Sequence, residues 1–194
     1  MENSPLRRIF GNTVVKMIIA LTLVGVVSGA TLVMVYNATI DKIKFNVNQA
    51  QDRAIREIFK DADKIEETKE EGVFKVTDKE GKLLGYAFTA EGNGYQGIIK
   101  MIAGVDPEFT KLNGMEVIES QETPGLGAEI AGTPFRSQFE GLSITHPIEY
   151  VKNQKPVEPY QIEAITGATI SSRAVVNILN IRIGEIKKVL RGEG

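Results

Sequence analysis

From residue 17 to residue 40 the chain runs for 24 residues without a single charge, and most of them are Ile, Leu, Val, Ala or Met. At a helical rise of about 1.5 Å per residue, such a run reaches roughly 36 Å, enough to cross a hydrocarbon core with some tilt. It is longer than the buried core helix of a soluble protein requires. Residues 1–16 set Arg7, Arg8 and Lys16 against Glu2, whereas residues 41–194 hold 20 basic and 24 acidic side chains. Positive charge ahead of the span favours a cytoplasmic N-terminus with the bulk of the chain outside. A cleaved signal peptide is the competing reading, because Ser28-Gly29-Ala30 offers small residues to a peptidase. A signal core ends before its cleavage site, however, and here apolar sequence continues from Thr31 through Tyr36, so a retained single-pass anchor is expected.

What remains of 194 residues is enough for one compact domain. With no Cys and one His (His146), disulfides, thiolate chemistry, iron–sulfur ligation and His-rich metal sites are all excluded. Neither a metal site nor a catalytic residue is expected. His146 precedes Pro147 in a loop and is read as structural. A formal net charge of −2, with no basic stripe interleaved with aromatics, speaks against nucleic acid.

Residues 45–70 read as a surface helix, since Ile55, Ile58, Phe59, Ala62 and Ile65 recur at three- and four-residue spacing, and Gly72 closes it. Residues 73–77 alternate as a strand, Asp78-Lys79-Glu80-Gly81 makes a turn, and residues 83–89 resume as a second strand. Residues 98–103 and 115–119 form another pair, joined by a loop containing Asp106-Pro107 and Asn113-Gly114. A short helix is expected over 134–139, weaker strands over 148–151 and 160–165, and a closing helix over 171–190. In that last helix Val175, Ile178, Leu179, Ile186 and Leu190 share a face. Strands and helices that do not alternate regularly imply an α+β domain with a largely antiparallel sheet and flanking helices.

Glycine concentrates at three element boundaries: Gly92-Asn93-Gly94-Tyr95-Gln96-Gly97, Thr123-Pro124-Gly125-Leu126-Gly127 and Thr166-Gly167-Ala168-Thr169. The last runs through Ile170-Ser171-Ser172 into the C-terminal helix. The first amides of a helix lack internal partners and sit at the positive end of its dipole, so small and hydroxyl residues there can seat a phosphate. On pattern alone, ordinary N-capping by Ser or Thr is the commoner reason for such residues. In the middle segment, Gly125 and Gly127 let the backbone approach a flat ring. Leu126 can then press on that ring, and Glu122 or Thr123 can bond its polar edge; a plain Pro-Gly turn is the alternative. Tyr95 either stacks on such a ring or is an exposed loop tyrosine.

Taken together, Thr166-Gly167-Ala168-Thr169-Ile170-Ser171, Glu122-Thr123-Pro124-Gly125-Leu126-Gly127 and Gly94-Tyr95-Gln96-Gly97-Ile98 resemble three motifs of the FMN-binding domain family. That family includes the G subunit of the Rnf ion-translocating ferredoxin:NAD⁺ oxidoreductase and the C subunit of the Na⁺-pumping NADH:quinone oxidoreductase. The resemblance implies FMN joined through a phosphoester to Thr169 by an FAD:protein FMN transferase. It further implies cofactor contacts from Tyr95, Gly97, Glu122, Thr123, Gly125, Leu126, Gly127, Thr166, Gly167, Ala168, Ile170 and Ser171. Where the family usually has Asp three residues before its Ser/Thr, this chain has Glu163.

The expected layout is a cytoplasmic N-terminus over 1–16, a transmembrane helix over 17–40, a connecting helix over 41–72 and an FMN-binding domain over 73–194. The expected role is electron transfer within an Rnf-type translocase in a bacterial or archaeal cell membrane, with no independent catalysis. Its partners would be the other membrane subunits, the transferase during maturation, and lipid. The corresponding quinone-reductase component is an alternative, as is a membrane-tethered module that holds flavin or another phosphate ligand without a bond. A hydrolase built on residues 169–172 ranks last, because only distant His146 offers a base.

Overall fold

A computed structural model describes residues 13–191, which divide into two units at Asn48/Gln49. The expected cytoplasmic segment therefore lies, up to residue 12, outside the described residues. Helix α1, Thr13–Ile58, contains the whole uncharged run. Between Ile18 and Tyr36 its large apolar side chains are exposed. Thr31 and Thr39 return their hydroxyls to the carbonyls of Val27 and Val35 at 2.8 and 2.7 Å. A helix that closes its own polar groups and turns apolar side chains outward on every side suits lipid. Among the described residues it is the one helix long and apolar enough to cross a membrane.

In the second unit the strands β1 (Lys64–Glu67), β2 (Val73–Thr77), β3 (Leu83–Asn93), β4 (Ile98–Val105) and β5 (Leu112–Ser120) form a consecutive antiparallel sheet. Alternation along each strand serves two cores. Val73, Phe88, Ala90, Ile99, Met101 and Val105 face one side, where Val175, Leu179 and Ile186 of the C-terminal helix pack. Val76, Ala87 and Ile102 face the other, where Ala54, Ile55 and Phe59 cover them. Phe59 lies against Gly104, where an added Cβ would stand 2.5 Å from its ring.

The helix expected over 45–70 ends instead at Ile58, and its last stretch becomes β1. Arg56 turns the chain by donating to the Ala62 carbonyl at 2.8 Å. Residues 64–67 then pair with the open edge of β2, Ile65 lying opposite Val76. Ladder pairing overrides the helical spacing of the apolar residues. Asn113-Gly114, expected in a loop, lies within β5, because pairing with β4 starts at Leu112 opposite Val105.

After β5 come a 3-10 turn, Gly127–Ala131, then the short helix α2, Thr133–Arg136, and a second 3-10 turn, Ser137–Phe139. Strands β6 (Glu149–Val151) and β7 (Gln161–Glu163) pair in parallel as a separate small sheet. Helix α3, Thr169–Arg191, closes the chain with Val175, Ile178, Leu179 and Ile186 buried. The fold is α+β with a largely antiparallel sheet and flanking helices.

Candidate functional site

The three glycine segments, separated by up to about 70 residues in sequence, meet around one carboxylate. Glu122 stands two residues past the end of β5 and is 5 % exposed. Its Oε1 accepts the amides of Tyr95 and Gln96 at 2.7 and 3.0 Å, and its Oε2 accepts the Ser171 hydroxyl at 2.6 Å. Burial works to raise its pKa, but the Ser171 hydroxyl and the amides of Gln96, Tyr95 and Gly97 outweigh burial and hold the carboxyl below its ordinary value. It is a fixed anion that stitches the β3–β4 turn to the first turn of α3.

Glycine makes that stitch possible. An added Cβ at Gly127 would collide with Glu122 Oε2 and stand 2.7 Å from Ser171 Oγ. Gly167 has φ +85°, a left-handed conformation that bends the chain into α3, with Leu126 3.4 Å from where its Cβ would be. Thr123 donates its hydroxyl to Gln96 Oε1, closing the same wall.

The hydroxyls at the start of α3 divide their work. Ser172 is fully buried; it accepts the Ile165 amide at 3.0 Å and donates to the Ala168 carbonyl at 3.1 Å, so it shapes the loop. Ser171 serves Glu122. Thr169 is half-buried at the first position of the helix and lines the cleft, and its hydroxyl makes no hydrogen bond to the described residues. Ser172 is therefore committed to the loop before the helix, and the Thr169 hydroxyl is left available.

The cleft encloses about 480 Å³ between Tyr95, Glu122, Thr123, Leu126, Gly127, Lys152 and residues 167–171. That size falls within the range of small-molecule and cofactor sites. Its mouth is apolar: Tyr95, Leu126 and Ile170 are 67, 48 and 46 % exposed. Its floor is polar, formed by a buried carboxylate and the leading amides of α3. A flat amphipathic ring with an anionic tail matches that division.

Ten of the residues expected from the sequence line this cleft: Tyr95, Glu122, Thr123, Leu126, Gly127, Gly167, Ala168, Thr169, Ile170 and Ser171. Three do not line it. Gly97 accepts the Gly94 amide at 2.7 Å, Gly125 turns its loop at φ +73°, and Thr166 donates its hydroxyl to Asn153 at 3.4 Å. Glu163 is anchored by its backbone, which exchanges two hydrogen bonds with the Gln138 side chain. His146 stacks on Tyr160 with ring centroids 5.3 Å apart, away from the cleft. Lys152 is absent from the sequence-based expectations. No local pattern marks it, since it reaches the cleft only through the parallel pairing of β6 with β7.

An FMN-binding domain family model matches residues 94–183, a stretch that begins within the first segment and holds the other two. The chain is 32% identical over 177 residues to the G subunit of the ion-translocating oxidoreductase complex of Methanosarcina acetivorans, covering 86% of this chain and 91% of that protein. It is also 32% identical over 155 residues to the G subunit of the proton-translocating ferredoxin:NAD(+) oxidoreductase complex of Clostridium ljungdahlii, covering 80% and 82%. Among solved structures, the C subunit of the Na⁺-translocating NADH-quinone reductase of Parabacteroides distasonis superposes with a TM-score of 0.53 at 30% identity, over 59% of this chain and 60% of that one. NqrC of Shewanella oneidensis shares the fold at TM-score 0.55 and 24% identity, over 64% and 66%.

Proposed function

Because this chain belongs to the family of G subunits of ion-translocating oxidoreductase complexes, we propose that it is the membrane-anchored electron carrier of such a complex, with FMN esterified to Thr169. The apolar helix and the kinship with membrane complexes agree on membrane association. The positive residues before the span favour a cytoplasmic N-terminus with the cleft outside. The other subunits of an Rnf-type assembly are its working partners.

The observation that carries the reading is the unbonded Thr169 hydroxyl in a cleft whose carboxylate and serine hydroxyl, Glu122 and Ser171, already engage each other. Bound FMN supplies the redox chemistry. The protein's own residues do the rest. Glu122 and Ser171 hold the walls in register, while Tyr95, Leu126 and Ile170 cover the ring and keep water from its faces. The leading amides of α3 receive the phosphate charge. During maturation Thr169 Oγ forms a bond to the flavin-side phosphorus of FAD. The pyrophosphate bond breaks, and AMP and the hydroxyl proton leave. A tether of this kind prevents loss of the carrier to the space outside the cell, and the helix keeps it beside its partners.

The full chain expressed in a host that carries the transferase will show a fluorescent flavin band on a denaturing gel, and Thr169→Val will abolish that band while still inserting in the membrane. A band retained in the variant overturns the acceptor assignment. Flavin that washes out on denaturation of the wild-type chain supports the rival reading of a module that binds without a bond. The C subunit of the NADH-quinone reductase remains the related alternative. Its Yersinia pestis representative is 26% identical, and the match covers 50% of its own length. The proteins that co-purify separate the two.

A further inference from the structure

Lys152, an exposed residue, lines the cleft beside residues 167–171. Its ammonium makes no hydrogen bond or ion pair with the described residues, and the one carboxylate lining the cleft, Glu122, is already saturated by the hydroxyl of Ser171 and main-chain amides. Three features fix where it stands. Strands β6 and β7 run parallel, so the loops that leave their carboxyl ends emerge at the same end of the small sheet. The Val151 carbonyl accepts the Ala164 amide at 2.9 Å, extending the register to the last residue before Lys152. Asn153 then adopts φ +54°, a left-handed conformation that non-glycine residues seldom take, and its side chain accepts the Thr166 hydroxyl at 3.4 Å. The Val151 backbone before Lys152 and the Asn153 side chain after it are thus tied to Ala164 and Thr166, the residues that lead into Thr169.

We propose that Lys152 is the counter-cation of the flavin phosphate, presented to the start of α3 by the Asn153–Thr166 bond. The proposal rests on the flavin reading above and extends it to a residue outside the three motifs. The phosphate is the part of the cofactor concerned, because the two ties lead to Ala164 and Thr166, on the approach to Thr169, and not to the Tyr95 and Leu126 walls. An ammonium is suited to this work: it neutralises a point charge without imposing the planar fork of a guanidinium.

The test compares FMN with riboflavin, which shares the ring and lacks the phosphate. Detergent-solubilised full-length chain carrying Thr169→Val, so that no ester forms, is titrated with each flavin. FMN binds more tightly than riboflavin, and adding Lys152→Ala removes about tenfold of that preference while riboflavin affinity stays put. Lys152→Arg keeps most of the preference, and added salt erodes it only where a cation remains at 152. Equal weakening of both flavins assigns Lys152 to the ring, and no change assigns it to solvent; either result overturns the proposal. Where Thr169→Val binds both flavins too weakly to measure, the rate of FMN incorporation into the Thr169 chain by transferase and FAD replaces affinity. Lys152→Ala then slows incorporation about tenfold and Lys152→Arg restores it, whereas equal rates overturn the role. Flavin that survives denaturation in the Thr169→Val chain indicts the acceptor and leaves the FMN-to-riboflavin comparison standing, so the two failures are distinguishable.

Discussion

Two buried carboxylates hold this domain together, and they do different jobs. Asp106 is 7 % exposed at the end of β4; it accepts the Thr110 and Lys111 amides at 2.7 and 2.9 Å and the Thr110 hydroxyl. All of its partners lie within five residues, so it closes the turn between β4 and β5. Glu122 is buried to the same degree, but its partners stand 26, 27 and 49 residues away. The chemistry is alike, and in both the donors hold the charge against the opposing pull of burial. What differs is sequence distance. A carboxylate satisfied by its own loop builds a turn, whereas one satisfied by remote segments builds a site.

The comparison is most exposed to Glu122→Ala. Removing that acceptor leaves the Tyr95 and Gln96 amides and the Ser171 hydroxyl without a partner in a partly closed space, at a cost of about 3 kcal/mol. Flavin content should fall together with the denaturation midpoint. Asp106→Ala should cost about 2 kcal/mol by the same reasoning while leaving flavin content and absorption unchanged. If it depletes the flavin as strongly as Glu122→Ala, the division between turn and site is wrong.

Acid sharpens the same contrast. Both folded-state pKa values lie below the ordinary 3.8 for Asp and 4.5 for Glu. Each group therefore contributes stability that is fully present above those values and is lost as pH falls through the lowered folded value. Unfolding followed from pH 6 downward should lose stability below about pH 4.5. Glu122→Gln should flatten the upper part of that fall and Asp106→Asn the lower part. The smallest effect on stability belongs to Thr169→Val, which breaks no hydrogen bond within the described residues and should shift stability by under about 0.5 kcal/mol.

Where the sequence is informative, the signals are local. The uncharged run, the turn at residues 78–81 and the apolar face of α3 are written within a few residues of themselves, and each appears where expected. The three glycine segments mark the cleft because each carries a recognisable motif, although nothing in them states that Glu122 joins them. Strand β1 is illegible. Lys64, Glu66 and Glu67 surround a single Ile65, and only the open edge of β2 makes that segment a strand. Parallel pairing of two three-residue strands is equally silent, and Lys152 goes unnoticed with it.

The central claim is that one hydroxyl, Thr169 Oγ, carries the cofactor. Trypsin should release residues 153–173 as one peptide, since Lys155 precedes Pro156, and that peptide contains Thr166, Thr169, Ser171 and Ser172. Fragmentation of this peptide from flavin-loaded protein should place the FMN phosphoester on Thr169. A flavin located on Thr166, Ser171 or Ser172, or an unmodified peptide from a host that flavinylates other proteins, would contradict the account.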